Sequence, residues 1–127
     1  MKYIALGFLC CSVVGCATVG SLERGSGSKF IVKNVEYEKL WKAANRVVSQ
    51  QLTIVQTSRD NGVIKAEKGA GLATWGEVVG VFITKSESAS GEYTVEVQSL
   101  KRSRMQLTGQ NWEQTIIQGM KAELEIE

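Results

Sequence analysis

Thr53-Ile54-Val55-Gln56-Thr57-Ser58-Arg59-Asp60-Asn61-Gly62-Val63-Ile64-Lys65-Ala66-Glu67 reads as a β-hairpin. Two short runs carrying β-branched residues, 53–58 and 63–67, flank Arg59-Asp60-Asn61-Gly62, and the Asn-Gly pair supplies the positive φ values of a tight turn. Immediately upstream the period changes. Tyr37, Leu40, Trp41, Ala44, Val47 and Val48 recur at three and four residues, which places them on one side of a helix ending near Gln51. Asn34 offers a side-chain oxygen to cap that helix near Tyr37, and Phe30, Ile31 and Val32 suggest a strand before it. Trp41, inside the apolar stripe, reads as core.

Downstream of the hairpin, 78–84 is a nearly continuous apolar run of β-forming residues. Tyr93, Val95 and Val97 alternate with Thr94, Glu96 and Gln98, the pattern of a half-solvated strand. Residues 86–91 are polar and end in Gly91, so they link these runs as an antiparallel pair, with a continuation of the last strand through Met105 left open. Asn111 is a candidate N-cap with Gln114 three residues on, and Trp112, Ile116, Met120 and Leu124 recur every four residues, with Ile117 widening the stripe. The order is β-α-β-β-β-β-α. It predicts an α+β fold: an antiparallel sheet of four to five strands with two helices packed on one face.

The N-terminus follows different rules. Lys2 forms a short positive region, 4–14 is an apolar stretch too short to span a bilayer, and Gly15 is a small residue before Cys16. Val13-Val14-Gly15-Cys16 resembles the lipobox of bacterial lipoproteins. The resemblance implies that 1–15 is a signal peptide and that Cys16 becomes the first mature residue, bearing a diacylglycerol and, in many bacteria, a third acyl chain. Two or more chains make a lasting anchor, since each buried methylene contributes about 0.8 kcal/mol. Ala17 stands where an aspartate favours inner-membrane retention in enterobacteria, so by resemblance the destination is the outer membrane, inner leaflet, facing the periplasm. Residues 16–28, rich in glycine and serine, read as the lipidated cysteine and a flexible tether; 17–28 would reach at most ~40 Å extended and about 20 Å as coil. One domain, 29–127, follows.

Composition narrows the chemistry. All three cysteines lie at or before Cys16 and the chain has no histidine. The domain therefore lacks a thiolate nucleophile, a disulfide, the usual zinc and copper ligands and the commonest general base. No cofactor or metal is implied. The formal charge of +2 falls by one with loss of Lys2, and nucleic acid is not suggested. Asp60, Glu77, Glu92 and Glu96 are the carboxylates considered for acid–base chemistry, which needs two of them across one cleft; no catalytic residue is assigned, and the chain is not read as an enzyme.

The stretch 37–51, the hairpin Asp60-Asn61-Gly62-Val63-Ile64, the segment Trp75-Gly76-Glu77-Val78-Val79-Gly80-Val81-Phe82 and Asn111-Trp112-Glu113 resemble a small, largely uncharacterised family of bacterial envelope lipoproteins. The order of elements is also similar to the α/β domains of the C lipoprotein of the outer-membrane β-barrel assembly machinery. These resemblances imply an envelope protein without a catalytic set.

Two local features are candidates for contact with a partner or ligand. The segment 68–76, Gly-rich, presents Leu72 and Trp75 either to a lipid, peptide or protein or back over the sheet edge. Its glycines do not make a phosphate loop, since no Gly-Lys-Ser/Thr ending follows. Lys101, Arg102 and Arg104 form a dense basic cluster, suited to a lipid phosphate or a peptidoglycan carboxylate, or else to a solvated strand edge that deters aggregation. The expected function is a non-catalytic binding domain, anchored in the membrane by acyl chains, with an envelope protein partner, in envelope maintenance or assembly. The alternatives are a lipid or small-molecule binder with an apolar pocket near Trp75, and a structural envelope lipoprotein.

Overall fold

A computed structural model describes residues 18–69, 76–101 and 111–127. The chain runs β1 (Ser28–Lys33), α1 (Tyr37–Gln51), β2 (Thr53–Ser58), β3 (Val63–Lys68), β4 (Glu77–Lys85), β5 (Glu92–Lys101) and α2 (Trp112–Leu124). This is the expected α+β order. All neighbouring strands are antiparallel in one five-stranded sheet of order β1-β5-β4-β3-β2, so the first strand closes beside the last and β1 and β2 form the edges. Among the described residues no helix is long and apolar enough to cross a membrane.

Alternation along the strands sends one set of side chains towards the helices. Ile64, Ala66, Val79, Val81, Ile83, Val95 and Val97 meet Leu40, Ala44 and Val48 of α1 and Ile116, Met120 and Leu124 of α2, all buried in one cluster. Each large side chain so buried contributes roughly 1.5–3 kcal/mol against the ordering of the chain. Trp112 and Ile117 are buried as expected, whereas Trp41 and Tyr37 are only half-buried, packed against the core with their rings stacked at 6.3 Å. Asn111 caps α2, its Oδ1 accepting the Gln114 N–H at 3.2 Å.

Asn34 does not cap α1. It sits in the left-handed region at φ 57°, where asparagine is tolerated, and donates its N–H to the Gly91 carbonyl at 3.1 Å. The N-cap position falls on Glu36, without a side-chain hydrogen bond. The turn between β2 and β3 spans 59–62, and of the Asn-Gly pair only Gly62 takes a positive φ, 65°. That glycine is needed for a second reason: its carbonyl accepts the Ile83 N–H at 2.7 Å, and a Cβ there would lie 2.3 Å from the Ile83 carbonyl oxygen.

The largest difference from the sequence expectation concerns the tether. Residues 18–27 cross the sheet on the face opposite the helices, as a strap. After a 3-10 turn, Val19–Ser21, Leu22 is buried against Val78 and Phe82, with Val19, Val63 and Leu100 packed around them. Gly80 leaves space chiefly for the Phe82 ring, whose Cε2 would stand 3.0 Å from a Cβ at that position, with Leu22 Cβ next to it at 3.4 Å. The Glu23 N–H donates to Gln98 Oε1 at 2.8 Å. Arg24 reaches the far end of β4, donating to Thr84 Oγ1 at 2.7 Å and to the Asn61 carbonyl, with its guanidinium 5.3 Å from the centre of the Phe82 ring. A segment rich in glycine and serine is ordered here because each turn of it meets a polar or apolar group on the strands.

Candidate interaction surfaces

The strap makes a site of Glu96. In the sequence this residue reads as a solvated position on β5; in the structure it is buried, 6% exposed, with Gln98 beside it at 5%. Its carboxylate accepts the Gly25 N–H at 2.7 and 2.9 Å and the Gly27 N–H at 2.8 Å. Burial alone would raise the carboxyl pKa. The amide hydrogen bonds from Gly25, Gly27 and Ser26, with the nearby Lys29 charge, outweigh it and hold the group below its ordinary value. Successive N–H groups in such a turn form a concave anion site. Here the anion is the chain's own.

A second carboxylate has a comparable task. Glu113, in the first turn of α2, accepts from the Ser28 N–H at 3.1 Å, the Ser28 hydroxyl at 2.6 Å and the Ser99 N–H at 3.2 Å. It thereby serves strand amides at the point where β1 begins beside β5. Glu77 is buried, 4% exposed, between Lys68 and Lys101 in the strand register. Asp60 lies in the exposed turn, 3.7 Å from Arg59.

A cleft of about 330 Å³ lies at the end of the sheet, lined among others by Tyr37, Tyr93, Arg59 and Lys85. The two tyrosine rings lie 5.6 Å apart, and the Arg59 guanidinium stands 5.7 Å from the Tyr37 ring centre. The Tyr37 hydroxyl donates to the Arg59 carbonyl. Burial raises the Tyr37 pKa above its ordinary value, opposed by the Arg59 charge. Arg59 also pairs with Glu38, a hydrogen-bonded contact that lowers the Glu38 pKa. A wider groove of about 400 Å³ along α1, including Lys39, Lys42, Arg46 and Glu123, is lined mostly by charged groups.

Of the expected site residues, Cys16, Leu72, Trp75, Arg102 and Arg104 lie outside the described residues, as does the continuation of β5 through Met105. Lys101 is described: it is exposed at the end of β5. Lys68, Glu77 and Lys101 are consecutive partners across β3, β4 and β5, so the Gly-rich and basic segments begin or end at one end of the sheet on adjacent strands. The register brings their flanks together, although they are far apart in sequence. The Tyr37–Tyr93 cleft was missed because its parts come from α1, the hairpin turn and the starts and ends of β4 and β5. Among the described residues no cluster of acidic side chains is arranged for a metal ion. No family model and no curated protein sequence matches this chain.

Proposed function

We propose that this chain is a lipid-anchored accessory domain of the bacterial envelope, facing the periplasm from the outer membrane, which acts by binding an envelope protein and not by catalysis. The observation that carries the reading is the lipobox Val13-Val14-Gly15-Cys16 standing immediately before a folded domain. The commitment of Glu96 and Glu113 to backbone amides supports it, since carboxylates engaged in this way hold structure together and are not poised for proton transfer. The Tyr37–Tyr93 cleft supplies the composition of a protein contact, aromatic surface with basic donors at its rim. The charged lining of the groove along α1, with Arg59, Asp60 and Lys85 beside the tyrosines of the cleft, favours a polypeptide over an apolar cargo.

The test is in-cell photo-crosslinking from probes at Lys85, beside the cleft, and at Lys101, followed by mass spectrometry of the adducts. A reproducible protein adduct from one position supports the accessory role and locates the surface. Lipid adducts would move the assignment to the carrier alternative, and absence of adducts at both positions would overturn the proposal.

A further inference from the structure

We infer that the strap holds the domain flush against the membrane, with the strapped face of the sheet towards the lipid headgroups and α1 and α2 facing away. The inference rests on acylation of Cys16. Its argument is the length of chain left between anchor and fold. Thr18 already hydrogen-bonds through its N–H to Ser21 Oγ at 3.1 Å, and Leu22 is buried on the sheet, so Ala17 alone separates Cys16 from the strap. Two peptide units span at most ~7 Å. The headgroup layer is itself roughly 5–7 Å deep, so Thr18 is held at its outer boundary. The outer surfaces of α1 and α2 lie about 15–20 Å away through the sheet and the helices, beyond the reach of such a leash.

A second contact on the same face fixes the tilt. Phe30 and Val32 of β1 pack towards the helices, so Lys29, Ile31 and Lys33 alternate onto the strapped face. Ile31 is 55% exposed there, the more exposed of two large apolar side chains standing out among the described residues. An isoleucine between two lysines suits a lipid surface, the apolar group entering the headgroup layer and the ammonium groups meeting phosphates. Lys29 and Lys33 stand across from Glu96 and Glu92 in the register, and the Lys29 charge helps to hold Glu96 ionised, so the exposed Ile31 carries the contact with the lipid. The strap's 3-10 turn packs over β3 and β4, and Ile31 lies on the β1 edge three strands from β3, about 14 Å away. Two contacts that far apart define a face.

The test uses the full-length chain matured in cells and reconstituted into phosphatidylethanolamine–phosphatidylglycerol vesicles containing headgroup-spin-labelled lipid. The folded domain has no cysteine, so Ile31→Cys, Lys65→Cys, Lys42→Cys and Gln118→Cys each give one fluorophore site, the first two on the strapped face and the last two exposed on the helices. Quenching at 31 and 65 is expected to exceed that at 42 and 118 by about threefold, because only the former lie within reach of the headgroups. Inserting about twenty Gly/Ser residues between Ala17 and Thr18, which reach about 25 Å as coil, is expected to cut that ratio by at least half. Equal quenching at the four sites in an acylated protein, or a ratio unchanged by the insertion, overturns the orientation alone. A mature chain whose mass shows no acyl groups overturns the anchor, and the orientation with it.

Discussion

The Glu96 carboxylate and the Gly27 N–H meet at 2.8 Å across 69 residues of chain, joining the middle of β5 to the segment that precedes β1. Gly25 binds the same carboxylate. A glutamate facing a half-open sheet would ordinarily be solvated; covering it costs desolvation that only strong hydrogen bonds offset. The strap and Glu96 therefore require one another. Removing either leaves polar groups without partners on the second face.

The Glu96 pKa is lowered by folding, so the carboxylate stabilises the strap at neutral pH and progressively less as pH falls below the ordinary glutamate value, about 4.3, through the folded-state value. Titration followed by the amide proton resonances of Gly25 and Gly27 should show them moving together with the Glu96 carboxyl carbon in the acid range, while amides of Val95 and Val97 stay fixed. Glu96→Gln should remove this transition and leave the strap weakened at all pH values.

Gly27 is predicted to be intolerant of a side chain for steric reasons alone. A Cβ there would lie 2.3 Å from the Val97 carbonyl oxygen, and that oxygen belongs to a paired strand that cannot easily retreat. Gly27→Ala should cost on the order of 1–3 kcal/mol in urea unfolding. Gly69→Ala, with nothing within 4 Å of the added carbon, should be close to neutral and serves as the control.

What was legible in the sequence was whatever depends on local periodicity. The apolar stripe of α1, the four-residue spacing in α2 and the 53–67 hairpin each report the face that packs, and they fix the order of elements. The strap was not legible because no short-range pattern marks a glycine-rich segment that is ordered by distant partners. One signal did point to it. Val78-Val79-Gly80-Val81-Phe82 is apolar on both alternations, and in an antiparallel sheet such a run requires cover on both faces. The reading of Glu96 and Gln98 as the solvated side of β5 differs from the structure for the same reason, since it assumed the second face was open. The helix cap at Asn34 failed because a side chain suited to capping also tolerates the left-handed region, and the end of β1 uses it that way.

Gly119 and Val47 set how closely α1 and α2 approach. Alanine is intrinsically better than glycine within a helix by about 1 kcal/mol, yet a Cβ on Gly119 would fall 2.7 Å from Val47 Cγ1, and valine has little freedom to turn away. Gly119→Ala should therefore destabilise by about 1–2 kcal/mol net. Adding Val47→Ala should relieve the clash, with a coupling of roughly 0.5–3 kcal/mol in a double-mutant cycle read by urea unfolding. Additive effects would mean that the helices simply move apart.

Glu113 provides the corresponding test on the helix side of the sheet. Its two oxygens serve different donors: Oε1 takes the Ser28 N–H and hydroxyl, and Oε2 takes the Ser99 N–H. Glu113→Ala leaves these strand groups short of an acceptor and should cost about 1–3 kcal/mol. Glu113→Gln can keep an oxygen towards Ser28 but then turns an amide N–H towards the Ser99 N–H, so it should fall between wild type and alanine. Amide exchange separates the two halves of the contact: in Glu113→Gln the Ser28 amide should stay protected while the Ser99 amide exchanges faster. Equal loss at both positions would show that the charge of Glu113, and not the division of its oxygens between β1 and β5, holds α2 to the sheet.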